Sequence, residues 1–422
     1  MATLLGEIHR HWQEIDPPAV TKQDDALKFG ILGAANIAPF FLINPARIHP
    51  EVIIHAVAAR DKTRATAYAK KHGIPEVKDS YQAILDDPAI DVVYIPLPSW
   101  LHLEWALKAL TKGKHVLLKK PCCSNAAEAE SLFNSPLLKQ PNAPVLMEAF
   151  HHRFAPVWSL FLETIDRPNV EHVLAKASIP SGLIKDDDIR FGYDRVAGAT
   201  LDLGLYTIAA LRGVFGTEPE ECLEADLEER PPLPRERYDG KFQAKFRFSG
   251  GGIGEVEGGL RDSTKAPTSW THSVVKVTHR AVVVTDEEVE EGEEAKKIRT
   301  VRFLNFRVTP PYYRVTTEDN FVVTKKGSTE VVKEYTKTKT TKAHTFKELG
   351  VDQPGQNYWL GYRYMLEQFV NRIRGREGTG VFISHEDSIA QMKALDMVYE
   401  KSGLGVRTTS QYELNASEVA PA

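Results

Sequence analysis

The chain has 422 residues, which at roughly 150 residues per domain predicts two or three domains. Its apolar fraction of 42% and charged fraction of 26% are typical of a soluble globular protein, and 53 Lys and Arg against 57 Asp and Glu give a net charge of −4. This balance gives no electrostatic reason to expect a nucleic acid or an anionic membrane as a partner.

The sequence shows no sign of export or membrane insertion. No apolar run reaches the roughly 18 to 20 residues of a membrane helix, and charges interrupt the N-terminal stretch MATLLGEIHRHWQEI, unlike a signal peptide. The three cysteines, Cys122, Cys123 and Cys222, are too few and too poorly spaced for a disulfide framework or a zinc site. We therefore expect a cytoplasmic protein with reduced thiols and no bound metal, which composition alone allows to be an enzyme or a binding protein.

Residues 1–27 form a polar extension. After it, apolar strands alternate with helical segments, and two of these helical segments end at a glycine, Gly73 and Gly113. Alternation of this kind requires right-handed crossovers and a parallel sheet. The runs lack strict polar alternation, as expected for strands covered on both faces. Residues 28–147 are therefore predicted to form a doubly wound α/β domain of the Rossmann type. Its strands are predicted at 28–32, 52–59, 91–97, 115–121 and 143–150.

Residues 148–422 contain long β-branched segments with few helices between them, which predicts an α+β domain built on a large, mostly antiparallel open sheet. The acidic stretch 286–297 is either a partner-binding loop or a solvated hairpin end, and we favour the hairpin end. For the basic stretch 337–342 we likewise favour a solvated strand face over a partner-binding site. Helices return with an apolar stripe from Tyr362 to Ile373, and Ser384 caps a last helix that Gly403 ends. The strand segments are VEHVLAKASI, KFQAKFRF, THSVVKVTHRAVVVT, TVRFLNFRVT and NFVVTKKGSTEVVKEYT.

The turn in KFGILGAANIAP follows the first strand and opens a helix, where dinucleotide-binding proteins hold the pyrophosphate. Gly33 takes the first glycine position of that fingerprint, and Ala35 and Ala38 take the second and third. This is a weaker signal than G-x-G-x-x-G, and a tight turn in any parallel-sheet protein is the alternative. We expect Gly33, Ala35, Asn36 and Ile37 to contact the cofactor.

The end of the second strand bears on the choice of cofactor. An acidic residue there would bind the ribose 2′-hydroxyl of NAD, but the chain has Ala58, Ala59 and Arg60. A guanidinium can bind the 2′-phosphate of NADP through two hydrogen bonds, so NADP is predicted over NAD. Asp61 can cap the next helix, and the alternative for Arg60 is an ordinary surface residue.

Four further segments, PLPSWLH, GKHVLLKKP, MEAFHHRFAP and GATLDLGLYTI, follow in that order at the ends of predicted strands or the starts of helices. With them the chain resembles the Gfo/Idh/MocA oxidoreductases, two-domain enzymes that use NAD or NADP on sugars, cyclitols and related alcohols. The resemblance extends from about Leu27 to Tyr412. It is closest to the branch of the NADP-dependent D-xylose 1-dehydrogenases and the dimeric trans-1,2-dihydrodiol dehydrogenases.

The resemblance implies roles for individual residues. The pattern G-K-H-V-x-x-E-K-P falls on 113–121 and puts the family's functional lysine at Lys120. The pattern D-x-G-x-Y falls on Asp202, Gly204 and Tyr206, with the tyrosine as acid/base and the lysine as its electrostatic partner. The catalytic set implied is therefore Lys120, Tyr206 and Asp202. The further cofactor contacts implied are Pro98, Ser99, His102, Lys120, Glu148 and Arg153.

The chemistry of alcohol oxidation supports the Lys120–Tyr206 pair. A hydroxyl proton must leave as hydride departs, and a phenol with its ordinary pKa of about 10 is a poor base at neutral pH. A neighbouring ammonium would lower that pKa, and Asp202, four residues before Tyr206, can face the same cleft. The alternatives are a buried aromatic role for Tyr206, a solvated Lys120, and a packing or capping role for His102.

The chain departs from the family pattern at Lys119, where the pattern has Glu. Successive strand residues face opposite ways, so Lys119 need not crowd Lys120, but the added positive charge can depress the pKa of Lys120 and reduce activity. His151 and His152 also replace an apolar-aromatic pair. Adjacent strand residues cannot chelate one metal, so no metal is predicted there.

Together these observations predict an NADP-dependent dehydrogenase that oxidises an aldopyranose at C1 to the lactone, with D-xylose as the first substrate to try. A trans-1,2-dihydrodiol or another vicinal diol is the alternative substrate. An NADP-binding transcriptional regulator without turnover is the alternative class, and the presence of both Lys120 and Tyr206 favours the enzyme. The resemblance and the open sheet, which needs cover, also predict a homodimer.

Overall fold

The computed structural model describes residues 13, 16–184, 188, 190, 198–230, 238–262, 273–286, 288–307 and 313–414. Two sheets organise these residues, one in each half of the sequence. None of the helices in this described part of the chain is both long enough and apolar enough to cross a bilayer.

The first sheet has six parallel strands in the order β3-β2-β1-β4-β5-β6, so the predicted doubly wound fold is confirmed. Both faces are covered, since the successive residues Ile31 and Leu32 of β1 point to opposite faces and both are fully buried. The sequence prediction missed β3, because two residues are too few to form an apolar run. The strands are β1 Leu27–Leu32, β2 Val52–Ala58, β3 Glu76–Val77, β4 Val92–Ile95, β5 His115–Lys119 and β6 Leu146–Ala149.

The helices of this domain begin and end where the sequence supplies caps. Asp61, Ser80 and Asn125 each accept a hydrogen bond from the first turn of the helix that follows, and Gly73 ends a helix with φ +67°. A π-helical turn, Pro39–Ile43, leads into the first helix. The helices are α1 Asn44–Arg47, α2 Lys62–His72, α3 Tyr81–Leu85, α4 His102–Thr111 and α5 Ala126–Phe133.

The second sheet is mostly antiparallel, as predicted, with strand order β15-β14-β13-β11-β7-β10-β9-β8 and β12 beside β13. Strands β7 and β10 are the parallel pair. The sequence prediction did not recognise β8 and β10, whose segments are rich in Glu and Gly. The strands are β7 Val170–Pro180, β8 Glu221–Arg230, β9 Tyr238–Arg247, β10 Ile253–Asp262, β11 Ser273–His279, β12 Val282–Val284, β13 Glu293–Leu304, β14 Arg314–Lys325 and β15 Val331–Thr341.

Helices cover one face of the second sheet and connect it to the first domain. A π-helical turn, Thr200–Gly204, leads into α7, which packs on β7 and β10, and α9 packs on β8 and α5. Ser384 caps α9 through the Asp387 amide, as predicted. The helices are α6 Pro156–Glu163, α7 Leu205–Phe215, α8 Gly361–Ile373 and α9 His385–Lys401.

The acidic and basic stretches face each other. The acidic stretch makes the connection between β12 and β13, which form an antiparallel hairpin, so the favoured hairpin interpretation agrees with the structure. Asp286 lies 2.8 Å from the Lys337 ammonium on β15, and Lys333 lies 4.0 Å from Glu288. Such surface pairs contribute little to stability.

Candidate active site

The predicted cofactor residues of the first domain lie at the carboxyl edge of its parallel sheet, where open α/β folds bind ligands. At this edge Gly33 has φ +109°, and its amide donates to Ala58 O at 2.7 Å. The positive φ favours glycine, and a Cβ there would also crowd a Leu97 methyl carbon at 3.2 Å. The turn therefore leaves room for a pyrophosphate beside its backbone, and the residues fit a dinucleotide.

Two residues that sequence reasoning missed hold this turn in place. The Arg64 guanidinium donates to Ala34 O at 2.9 Å, and the Tyr68 hydroxyl donates to Ala35 O at 3.1 Å. They lie four residues apart on α2, so both can face the turn. Asn36 is exposed at the tip.

The end of β2 matches the predicted preference for NADP. Asp61 accepts the Arg64 amide at 3.1 Å as the N-cap of α2, so its carboxylate serves the helix. Arg60 is exposed, and its guanidinium makes no hydrogen bond to a described residue. A free guanidinium without a competing acid suits a phosphate group.

Pro98 and Ser99 form the turn after β4, and His102 holds that turn against the segment after β5. The buried imidazole lies 2.7 Å from Leu97 O through Nε2 and 2.9 Å from Pro121 O through Nδ1. Burial, with the Lys119 charge, lowers the pKa of His102 to about 4, so the ring is neutral. Both ring nitrogens of His102 already face carbonyl oxygens of the protein. This favours a packing role for His102 over a contact with the cofactor.

The predicted catalytic residues come together although 82 residues separate Lys120 from Asp202. The Lys120 ammonium donates to the Asp202 carboxylate at 2.6 Å and to Asp202 O at 2.8 Å. It also lies 4.6 Å from the centre of the Tyr206 ring. No described residue hydrogen-bonds the Tyr206 hydroxyl, which leaves that group for a substrate.

The environment of Tyr206 differs from the one that the sequence suggested. Burial raises the pKa of Tyr206 well above its ordinary value, and the cations that oppose this are Arg307 and Arg190. The Lys120 charge is neutralised by Asp202, and the Lys120 ammonium lies over the face of the Tyr206 ring. The Arg307 guanidinium lies 5.7 Å from the ring centre, and nothing in the sequence pattern marked it.

Arg190 and Asp188 extend the Lys120–Asp202 pair. The Arg190 side chain donates to Asp202 at 2.9 Å and to both oxygens of Asp188 at 2.9 and 3.0 Å. Although burial opposes it, the Lys120 and Arg190 charges hold the pKa of Asp202 well below its usual range. Asp202 is therefore a fixed anion that positions Lys120 and does not exchange protons.

Among the described residues, three aromatic rings contact the Tyr206 ring, those of Phe150 at 5.2 Å, His151 and His152. His151 stacks on Tyr362 with ring centres 3.9 Å apart, and His151 and His152 approach the Tyr206 ring edge-on at 5.8 and 5.3 Å. Burial lowers the pKa of His151 to about 3. Burial also lowers the pKa of His152 well below its usual value, so both histidines are neutral at physiological pH and belong to the wall of the site.

Lys119 lies closer to the site than the alternation of strand residues suggested. It is partly exposed, makes no ion pair with a described residue, and its charge acts on His102. Burial, together with the Lys120 charge, lowers the pKa of Lys119 to about 8. The lysine that replaces the family's glutamate is thus an additional cation at the same edge of the sheet.

Glu148 and Arg153 connect the domains through α9. Glu148 is buried, accepts the Cys122 amide at 3.1 Å and accepts the Ser388 hydroxyl at 2.9 Å. Arg153 pairs with Asp387. The structure therefore occupies both side chains with protein contacts, and their predicted contact with the cofactor stays a prediction.

A separate group of His55, Glu76 and Asp87 has ligand atoms within 4.8 Å of one another. The Lys78 ammonium lies 2.6 Å from each of the two carboxylates. The group is thus compensated by a side-chain cation and lies at the β2–β3 edge, apart from the residues around Tyr206.

The sequence profile of the Gfo/Idh/MocA family, described as an oxidoreductase family with an NAD-binding Rossmann fold, matches residues 27–137. The match includes the Gly33 turn, Arg60 and Lys120. The N-terminal domain is a Gfo/Idh/MocA-family domain. The family predicted from the sequence motifs is confirmed for this domain.

Similarity to curated proteins extends beyond the Gfo/Idh/MocA domain. D-xylose 1-dehydrogenase (NADP(+)) 2 of Haloferax volcanii is 38% identical over 195 residues, 45% of this chain and 58% of that protein. Trans-1,2-dihydrobenzene-1,2-diol dehydrogenase of Xenopus tropicalis is 32% identical over 215 residues, 47% of this chain and 60% of that protein. The chain thus spans about three-fifths of the length of these relatives.

A solved structure gives the same fold over both domains. A 3-ketoreductase from Actinomadura kijaniata, crystallised with NADP and TDP-benzene, superposes with a TM-score of 0.66 and 22% identity. The match covers 89% of this chain and 98% of that chain. The pairing of a parallel Rossmann-type sheet with a large open sheet is therefore an architecture found in a solved protein.

Proposed function

We propose that this protein is an NADP-dependent oxidoreductase that moves a hydride between the cofactor and a carbinol carbon of a sugar or diol. The observation that carries the proposal is the contact of the Lys120 ammonium with both the Asp202 carboxylate, at 2.6 Å, and the Tyr206 ring, at 4.6 Å. D-Xylose, oxidised at C1 to the lactone, is the first substrate to test, in line with the Haloferax volcanii relative.

The cofactor would lie along the carboxyl edge of the first sheet. NADP, when bound, supplies the hydride acceptor, and its reduced form supplies the donor. The Gly33 turn would hold the pyrophosphate and Arg60 the 2′-phosphate. The name of the Haloferax volcanii relative, which specifies NADP(+), agrees with this preference.

The protein's own residues would manage the proton. The Tyr206 hydroxyl would take the proton of the substrate alcohol during oxidation and return it to the carbonyl oxygen during reduction. Because burial raises the pKa of Tyr206, the neutral phenol prevails at neutral pH and favours reduction. We expect the rate of oxidation to rise with pH and the rate of reduction to change little.

Two alternatives remain open. The Xenopus tropicalis relative supports a vicinal diol as the substrate of the same chemistry. A regulator that binds NADP without turnover would use the Gly33 turn and Arg60 but would have no use for Lys120 beside Tyr206. We further expect a cytoplasmic homodimer whose subunits meet through the open face of the second sheet, which light scattering would test.

The function is tested by mixing the purified protein with NADP and a panel of pentoses, hexoses and trans-diols, and following NADPH formation by absorbance. We expect turnover of at least one substrate. NADP binding without turnover of any panel member, in either direction, would instead support the regulator.

The cofactor preference is tested at Arg60. Arg60→Ala should lower the NADP-to-NAD ratio of binding constants by about tenfold to a hundredfold, because a charge-assisted contact to the 2′-phosphate is lost. Lys62→Ala, which removes a neighbouring exposed cation paired with Asp79, is the control and should leave the ratio unchanged. An unchanged ratio in Arg60→Ala would contradict the predicted role.

A further inference from the structure

Among the described residues, four charged side chains at Asp202 compensate one another, namely Lys120, Arg190, Asp188 and Asp202 itself. Lys120 and Arg190 both bond the Asp202 carboxylate, and Arg190 also bonds Asp188 through two oxygens. Two cations and two anions thus form one neutral network. Lys119 and Arg307 remain outside it.

Lys119 and Arg307 have no anionic partner among the residues that the structure describes. The Arg307 Nε atom is buried without a hydrogen-bond acceptor, while its backbone oxygen accepts from His151 at 3.0 Å. Lys119 is partly exposed and makes no ion pair. Cations held near a partly buried site without compensation are costly, and a bound anion would offset that cost.

Arg307 lies where a substrate would meet Tyr206, and Lys119 lies at the end of β5 within range of the Lys120 and Asp202 charges. The Arg307 guanidinium lies 5.7 Å from the Tyr206 ring centre, and Lys119 directly precedes Lys120 at the end of β5. The phosphates of a dinucleotide would lie elsewhere along the edge, at the Gly33 turn after β1 and at Arg60 after β2. The cofactor's phosphates therefore do not account for these two charges.

We propose that the substrate carries a carboxylate, as in a uronic acid or a related sugar acid, and that Arg307 and Lys119 bind it. The proposal rests on the proposed oxidoreductase function and narrows its substrate class from neutral sugars to anionic ones. A planar guanidinium accepts a carboxylate through two parallel hydrogen bonds, which suits Arg307 to this task.

The test compares matched sugars that differ only in a hydroxymethyl group or a carboxylate, namely D-glucose with D-glucuronate and D-galactose with D-galacturonate. We expect kcat/KM for the uronate to exceed that of its partner by about tenfold or more, from one charge-assisted contact. Arg307→Gln and Lys119→Gln should each remove most of this preference, and Arg307→Lys should retain part of it. Arg302→Gln, an exposed change on the neighbouring strand β13, should leave it unchanged.

A binding experiment separates failure of this proposal from failure of the proposed function. Calorimetric titration of the NADP complex of Tyr206→Phe with each sugar measures affinity without turnover, and the uronate should bind about tenfold or more tightly than its partner. Equal affinities in that titration, or a stronger preference for the corresponding sugar phosphate, would overturn the carboxylate assignment. Uronate binding without turnover by the wild type would retain the carboxylate site and overturn the oxidoreductase function.

Discussion

At the scale of single residues, the site combines groups that the sequence identified with groups that it did not. Lys120 was marked by one family motif and Asp202 and Tyr206 by another, because each motif is a short contiguous pattern in the sequence. Arg190 and Arg307 belong to no motif, and only the folded chain shows that they adjoin Asp202 and Tyr206. The sequence also suggested that Lys120 controls the pKa of Tyr206, whereas Asp202 neutralises Lys120 and burial dominates.

Glu148 provides a residue-scale prediction about stability and pH. Burial raises the pKa of Glu148 from 4.5 to about 7, although Ser388 and the Cys122 amide oppose the shift. Because the pKa is higher in the folded state, this group's contribution is present below pH 4.5 and is lost as the pH rises through about 7. Glu148→Gln removes this loss. The difference in free energy of unfolding between Glu148→Gln and the wild type should therefore be about 2 kcal/mol more favourable to the variant above pH 7 than at pH 5.

Denaturant unfolding at a series of pH values measures this difference. Glu163→Gln, an exposed change at the end of α6, is the control and should give a difference independent of pH. A Glu148→Gln protein whose stability falls with pH as steeply as the wild type would show that Glu148 is ionised in the fold at little cost.

At the scale of elements, strand β10 shows why part of the second sheet could not be predicted. Its segment IGEVEGGLRD lacks the β-branched alternation of a strand, because Gly258 and its neighbours permit a close approach to β7. A Cβ at Gly258 would lie 1.9 Å from Ala177 O, a backbone atom that cannot move aside. The glycines that weaken the sequence signal are thus required by the parallel β7–β10 pairing.

This close approach predicts a strong effect of one methyl group. Gly258→Ala should destabilise the protein by about 3 kcal/mol or more, since strands β7 and β10 must separate. Gly259→Ala, whose Cβ would meet the flexible Lys241 side chain at 3.0 Å and the Gly240 oxygen at 3.2 Å, should cost less, about 1 kcal/mol. Equal melting temperatures for the two variants would contradict the pairing register.

At the scale of the whole molecule, the C-terminal segment links the two domains to the helical segment that carries Asp202 and Tyr206. The buried Arg407 pairs with the buried Asp239 of β9, whose other carboxylate oxygen accepts the Thr200 amide at 2.7 Å, just before Asp202. Arg407 O accepts from Asn125 in the first domain at 2.7 Å. Residues far apart in sequence therefore fix the start of the helical segment that carries Asp202 and Tyr206.

This linkage predicts a large effect from a residue remote from the site. Arg407→Leu should destabilise the protein by about 3 to 5 kcal/mol, because it leaves the Asp239 carboxylate buried without its cation. Adding Asp239→Asn, which removes that charge and can still accept the Thr200 amide, should recover part of the loss. A double variant no more stable than Arg407→Leu would contradict the ion-pair explanation.

The alternation of apolar strands and helices was sufficient to predict the first domain, because buried parallel strands leave a strong signal. The motif residues of the site were also predictable. Contacts such as Arg307 with Tyr206 and Arg407 with Asp239 were not, because they depend on how distant segments pack. The same applies to Lys119, whose position as an uncompensated cation is evident only beside the paired Lys120.

The proton-transfer role of Tyr206 is tested most directly by the kcat of Tyr206→Phe on a turned-over substrate, with NADP affinity measured on the same sample. Loss of the phenol proton should lower kcat by about a hundredfold to ten-thousandfold while the NADP dissociation constant stays nearly unchanged. A variant that retains wild-type kcat would contradict the assignment of Tyr206 as the acid/base of this site.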